Sequence, residues 1–410
     1  MNNESSFSVI VVGGGAAGLA AAEVLSARGQ RVLLLEGGRR PGNKFLVAGR
    51  SGLNLTLDTV AARVIEAVSK DINGLPNHAI ASHLGPCVEA FDPKAIRAWA
   101  SDLATPTLVG SSGKVFPAEH HGAGLLQRWQ QRLEQQGVVL RCNQLVTAVH
   151  RLPDGLWQVQ AAEIFTAPRV ILALGGGSWT QTGSTGAWQS WLSELGVAIE
   201  PLQSANCGVN IPWDQRIIES HQGTAFKNIH LSHGKATSHG EVVITANGLE
   251  GYAVYPLVPS LRAPLAADGQ TEIFLDLARD RSQEQVLKRL QGVRKGASFS
   301  VRLRSALRLS PAAIALLYYA GAGALRQDFP SLATLIKACP LPVIGLRPLD
   351  EAISSAGGVS LSALDKNFQI KAHPGLYAIG EMVDWEAPTG GYLLSVCMAM
   401  GRWTGLSITP

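Results

Sequence analysis

The chain has 410 residues, 46% of them hydrophobic and only 16% charged, with a formal net charge of +4. This composition excludes a disordered polyelectrolyte, leaves room for two or three domains with large cores, and is too weakly basic to point to nucleic acid by itself. Five scattered cysteines with no C-x-x-C pair imply neither a disulfide framework nor a metal site. No stretch reaches the roughly 18 apolar residues of a membrane span. The polar start MNNESSFS lacks the basic and apolar regions of a secretion signal, so the expectation is a soluble, cytoplasmic protein with no membrane partner.

Ser8 to Val12 is a short β-branched run, too short for a helix, that predicts a buried central strand. It leads into Gly13, Gly15 and Gly18, spaced G-x-G-x-x-G. In that spacing the first glycine permits a tight turn, the second lets a pyrophosphate approach the backbone, and the third lets a helix pack close on the sheet. The helix predicted from Ala16 to Arg28 opens on Ala16 and Ala17, where free N–H groups and partial positive charge attract phosphate. Gly29 stops it, Arg31 to Leu35 is a second buried strand, and Glu36 ends that strand eighteen residues after Gly18. The strand, helix, strand and acid together predict a dinucleotide site in which Glu36 accepts hydrogen bonds from a ribose diol. An acid there disfavours a 2′-phosphate, so FAD or NAD is preferred over NADP.

Residues 37–56, GGRRPGNKFLVAGRSGLNLT, are rich in glycine and arginine and show few helix or strand signals. Their backbone is expected along the cofactor, with Gly37 and Gly49 in close approach and Arg39, Arg40 and Lys44 near phosphates. Asn54 and Thr56 are the hydrogen-bonding groups. The segment resembles the flavin-contacting loop of the bacterial YhiN/BaiN-like FAD-binding flavoproteins, also described as the aminoacetone oxidase family. Their pattern is close to P-G-x-K-x-x-x-S-G-G-G-R-C-N-x-T-N. Pro41, Gly42, Lys44, Gly49, Asn54 and Thr56 match it, whereas Ala48, Arg50 and Ser51 stand for Ser, Gly and Gly, Gly52 for the Arg, and Leu53 for the Cys. A family member that uses that thiol as an acid beside the flavin has a counterpart here that cannot.

Residues 59–105 are predicted helical. Gly113, Phe116 and Pro117 keep a Gly-x-x-Phe-Pro element of the same family, and a helix follows with Leu125, Leu126, Trp129 and Leu133 on one face. His120 and His121 carry imidazoles able to donate a proton, but adjacent residues before a helix rarely face one site and no third ligand sits at metal spacing. Val138 to Arg141 reads as the third strand of the first sheet. Residues 144–166 read as an antiparallel meander turning at PDG, residues 153–155, and RVILALGGG, residues 169–177, as another buried strand. Ala173 and Gly175 lie at its glycine-rich end, expected beside the cofactor. Residues 182–186, TGSTG, match a family run. Gly175 and Gly177 do not open a second nucleotide site, because no complete strand, helix and acid unit follows. Pro311 to Leu325 is predicted as a core helix, and residues 279–308 carry nine Lys or Arg against two acids, either a solvated helical face or a patch for an anionic substrate such as RNA.

Near the C-terminus AGGVSLSALD, residues 356–365, resembles the family element that leads back to the flavin. Residues 375–405 then place Gly380 and Glu381 at the end of a strand, Asp384 as a further family acid, and Gly390, Gly391 and Tyr392 at the start of the last helix. Glu381 is expected toward the ribityl or pyrophosphate region, and the helix start toward the flavin pyrimidine edge.

The resemblance implies an α/β fold: a doubly wound, Rossmann-like FAD domain of the glutathione-reductase type from residues 1–196 and 351–410. An inserted substrate-side domain, residues 197–350, would be a β-barrel over 197–278 and 339–350 and helical over 279–338. It implies an FAD-dependent oxidoreductase. Because only one dinucleotide unit is visible, no separate NAD(P)H domain is expected: a nicotinamide would visit the flavin transiently, or another donor or acceptor would serve. The leading expectation is reduction of a conjugated C=C bond in a small-molecule or RNA-borne anionic substrate. The alternatives are an amine or aminoketone oxidase, an RNA-docking flavoprotein reducing uracil rings, and a non-catalytic redox sensor.

Overall fold

The computed structural model describes residues 7–48, 52–294 and 296–409. The chain divides into two compact units, residues 1–205 with 349–410, and residues 206–348. The first unit is built on five parallel strands in the order Leu376–Ala378, Arg169–Leu172, Val9–Val12, Val32–Leu35 and Val139–Arg141. Every residue of Val9–Val12 and Val32–Leu35 is buried, which is why both runs are continuously apolar rather than alternating. Val12 lies level with Leu35 on one side and Leu172 on the other. The order of strands reverses beside Val9–Val12, so the segments leaving these three strands border the crevice where open parallel sheets take their ligands.

The first helix, Ala16–Ala27, and the closing helix, Tyr392–Ser407, pack together through small residues. A β-carbon on Gly401 would stand 2.2 Å from the Ala17 carbonyl oxygen, and one on Gly405 3.1 Å from that of Ala21. On the other side of the first helix, Glu23 is buried. Its carboxylate accepts from Trp99 Nε1 at 3.0 Å, Trp129 Nε1 at 2.7 Å and Arg132 at 3.0 Å, tying three helices together.

Several local expectations need correction. Within residues 37–56 the structure has a short helix, Asn43–Ala48, which docks Phe45 edge-on against Trp129 at 6.5 Å between ring centroids. The meander begins at Ala148, not at 144, and the predicted core helix ends at Tyr319. Gly321, at φ +91°, breaks that helix before a single 3-10 turn, Ala322–Leu325. The first unit also extends to Ala205, beyond the expected 196, and resumes at Leu349, two residues before the expected 351. Strands Ile199–Ala205 and Ser354–Val359 pair antiparallel with each other and belong to it.

The second unit holds a seven-stranded sheet ordered Cys339–Val343, Thr271–Asp276, Ala225–His233, Ala236–Ile244, Gly248–Glu250, Val209–Asn210 and Gly345–Leu346. Its two outermost strands are separated in the chain by Ile344 alone, so their facing ends lie within about 7 Å of each other. The sheet must therefore curl until its edges meet, which is barrel closure by one kinked strand. Pro340 and Pro342 have no N–H to donate, so Cys339, Leu341 and Val343 must carry the ladder to Thr271–Asp276 and the far edge is left without donors. Helices Gln283–Gln291, Phe299–Leu307, Pro311–Tyr319 and Phe329–Lys337 lie in the chain between the paired strands Thr271–Asp276 and Cys339–Val343. Among the described residues no helix is long and apolar enough to cross a membrane.

Gly401→Ala sets two effects against each other. Helix propensity favours alanine by about 1 kcal/mol, but a methyl 2.2 Å from a backbone oxygen must push two helices apart, at roughly 1–3 kcal/mol or more. We expect a net loss, read as a lower urea midpoint by tryptophan fluorescence.

Candidate functional site

The glycine turn is closed on all sides but one. Gly13, at φ +105°, donates its N–H to Leu35 at 2.8 Å, and a β-carbon on it would lie 2.3 Å from the Ala173 carbonyl oxygen. One on Gly18 would lie 2.0 Å from the oxygen of Gly13, and one on Gly14 would meet Pro41 and Glu36. Gly15 has nothing within 4 Å of that position. It is the N-cap of the first helix and has no side chain to bond the N–H groups of Ala16, Ala17 and Gly18. Backbone donors in an open approach with no competing side chain make an anion site. Gly380, arriving from the C-terminal strand at φ +79°, would touch the Ala17 methyl at 2.9 Å if it carried a β-carbon. Glu36 accepts from the N–H of Gly14 at 2.9 Å and of Gly38 at 2.7 Å, so its carboxylate is fixed by the backbone and keeps acceptor capacity for further donors. Gly37 is exposed beside Leu145, and Gly49 lies outside the described residues.

Lys44 does not reach out alone toward a phosphate. Its ammonium pairs with Glu381 Oε2 at 2.6 Å and donates to Ser178 Oγ at 2.8 Å. Glu381 is 7% exposed, and its Oε1 also accepts the Ser355 N–H at 3.0 Å. Ser355 Oγ in turn accepts the Gly177 N–H at 2.8 Å, while Ser184 donates to Gly176 at 3.0 Å. A β-carbon on Gly176 would sit 2.2 Å from Ser355 Oγ, and one on Gly175 2.8 Å from Ser184 Oγ. The loop helix, the Ala173–Gly177 turn and the Gly380–Met382 turn are thereby fastened into one polar knot. Within this knot the charges of Lys44 and Glu381 neutralise each other.

At the closing helix Gly390 and Gly391, at φ +119° and +97°, make a left-handed turn, and Gly391 caps the helix with no side-chain bond. A β-carbon on Gly391 would stand 3.0 Å from Asn54 Oδ1 and 3.1 Å from Thr56 Cα. Asn54 Oδ1 is buried and has no hydrogen-bond partner. Thr56 is buried and accepts from Ser395 at 2.9 Å. Tyr392 is half-buried, and burial pushes its phenol up from the ordinary tyrosine range. Lys114 Cε comes within 4.0 Å of the same Gly390 position.

Leu53 is buried, and its N–H donates to the His120 carbonyl at 2.7 Å. His120 is exposed with φ +60°, a backbone conformation uncommon outside glycine, and its ring lies 6.2 Å from that of Phe116. His121 is the N-cap residue of the helix Gly122–Gln135. Cys397, buried near Gly380, does not supply a reactive thiol in its place, because burial, reinforced by Glu381, pushes its thiol far up. Among the described residues no cluster of His, Cys, Asp and Glu could hold a metal ion. Sequence reasoning missed Ser178, Ser355 and Lys114, whose neighbours in the site lie from 26 to more than 200 residues away and leave no local spacing.

Removing the cation of a buried pair leaves an uncompensated charge. Lys44→Met is expected to cost roughly 3–5 kcal/mol in urea unfolding, with much of the loss recovered in Lys44→Met/Glu381→Gln. Asp384 offers a pH test. Burial, and then Glu200, push its carboxyl up to about 6, against an ordinary 3.8. The folded state therefore holds more protons than the unfolded one between about pH 4 and 6, so this group makes stability fall as pH rises across that window and level off above it. Asp384→Asn is expected to flatten that slope in unfolding measured at fixed steps of pH.

Residues 7–407 match the model of the HI0933-like protein Rossmann domain. The 3-dehydro-bile acid delta(4,6)-reductase of Clostridium scindens is 24% identical over 416 residues, covering 96% of this chain and 97% of that protein. The ribosomal RNA dihydrouridine synthase of Escherichia coli is 22% identical over 397 residues, covering 94% of each. The fold is shared with the 3-ketosteroid delta1-dehydrogenase of Sterolibacterium denitrificans, at a TM-score of 0.53 and 13% identity, covering 98% of this chain and 99% of that one. The open anion site of the glycine turn, the carboxylate after the second strand and the whole-length match lead to one conclusion: the chain belongs to the HI0933-like family and is an FAD-dependent oxidoreductase of the YhiN/BaiN-like kind.

Proposed function

We propose that the protein reduces a carbon–carbon double bond conjugated to a carbonyl group, using FAD held between the two ends of the chain. The observation that carries the cofactor placement is Asn54 Oδ1, a buried acceptor with no partner beside the uncapped start of the closing helix. The flavin pyrimidine edge offers an imide N–H between two carbonyl oxygens, so it supplies the donor that Asn54 lacks and the acceptors that the Gly391 and Tyr392 N–H groups lack. At the other end, Gly15, Ala16, Ala17 and Gly18 would hold the pyrophosphate and Glu36 the ribose diol. Ala173, Gly175 and Gly380 contribute backbone beside that path, while Lys44 and Glu381 brace it and Thr56 buttresses Gly391. Bound FAD supplies two-electron hydride chemistry. The protein's own task is to bind, orient and exclude water.

The choice of reaction is supported by the two full-length relatives. One is named as a reductase acting on a bile acid, the other as a synthase of dihydrouridine, whose formation from uridine also saturates a C=C bond conjugated to a carbonyl. A second reading, an RNA-borne substrate, is favoured by the basic segment of the second unit. There Arg302 is spent internally, donating to Leu290 at 2.8 Å and lying over the Phe329 ring at 4.9 Å, whereas Arg294, Arg304 and Arg308 are exposed.

The test uses holoprotein photoreduced without oxygen and mixed with cyclic enones, with a steroid dienone, and with unmodified ribosomal RNA. We expect one of these to reoxidise the flavin at least 100-fold faster than buffer and to gain two hydrogens. Reoxidation by oxygen alone, with an aminoketone reducing the flavin, would install the oxidase reading instead. In the RNA arm, steep loss of binding with salt, and its weakening in Arg294→Gln/Arg304→Gln/Arg308→Gln, would select the second reading.

A further inference from the structure

We infer that His120 is the proton donor of this site, filling the role that Leu53 cannot; the inference rests on the reductase reading above. Four observations converge on it. The Leu53 N–H donates to the His120 carbonyl at 2.7 Å, so the main chain of this histidine is fastened beside Leu53. His120 has a left-handed backbone at φ +60°, and its ring lies 6.2 Å from that of Phe116 between centroids, tilted by 50°. The Phe116 ring is in turn 3.6 Å from where Gly52 would carry a β-carbon, so the ring faces the cofactor loop. Finally, Phe116 and Lys114 alternate along the strand Lys114–Pro117 and share one face of it, and Lys114 reaches Gly390 at the start of the closing helix. His120, Phe116, Lys114 and Gly390 thus form a continuous wall from the site of the missing thiol to the proposed flavin edge.

Reduction of a conjugated C=C bond needs one proton for each hydride. The hydride, supplied by the reduced flavin, adds at the β-carbon and the displaced π pair rests on the carbonyl oxygen. The ring N–H of His120 then gives its proton to the α-carbon. The imidazole recovers a proton from water, which its exposed position allows. His121 differs because it occupies the N-cap of the next helix.

Two measurements decide the matter. In the first, His120→Cys and His121→Cys are made in a Cys142→Ser background, since the other four cysteines are buried. FAD is expected to slow iodoacetamide alkylation of the first at least tenfold and leave the second within twofold. Equal rates for His120→Cys with and without FAD would remove His120 from the site. In the second, His120→Gly is used, because glycine adopts φ +60° freely and leaves space for added imidazole. We expect reoxidation of its reduced flavin by an enone to slow at least 100-fold, with imidazole restoring at least tenfold, and His121→Gly to stay within threefold of the unsubstituted protein. A rate for His120→Gly within threefold of that protein would overturn the proposal. If the unsubstituted protein reduces no enone, the reductase reading fails by itself, and the alkylation arm still shows whether His120 lies over the cofactor.

Discussion

Backbone contact without side chains is the constraint on which the first unit depends. Gly13, Gly18, Gly380 and Gly401 each bring main chain or a small side chain to a distance that a β-carbon would close to below 3 Å. Through them the opening strand, the first helix, the Gly380 turn and the closing helix touch, although they come from opposite ends of the chain. Close approach costs conformational entropy at every glycine, and the burial of the apolar strands and of the helix faces offsets it.

Charge is managed in the same economical way. Glu36 is held by two backbone N–H groups, Glu23 by two indoles and a guanidinium, and Glu381 by Lys44 and the Ser355 N–H. The buried Glu23 and Glu381 are thereby both paired with a cation and oriented, and the half-buried Glu36 is oriented by backbone donors. Within the proposed cofactor path Gly15 leaves an approach open and the Asn54 oxygen is an unmatched acceptor.

Much of the framework was legible in the residues. Val9–Val12, Val32–Leu35 and the intervening helix announce themselves through continuous apolar runs and glycine spacing, because each signal acts within a few residues. Asn43–Ala48 was not legible, since its glycine and proline neighbours mask a helix that is stabilised by Phe45 docking on Trp129. The barrel closure also escaped local reading, because it depends on one kink at Ile344 joining the two ends of a sheet order.

By itself the amino-acid sequence determined the nucleotide-binding unit, the acid that follows it and the glycine start of the last helix, all of which rest on local backbone freedom. Only the tertiary structure decided that Lys44 is paired with Glu381, that Arg302 is consumed within its own unit, and that Leu53 is bonded to His120. Those outcomes depend on which distant groups satisfy a charge or an N–H first. Pairing of that kind has no period or spacing along the chain, so it becomes visible only once the backbone has folded.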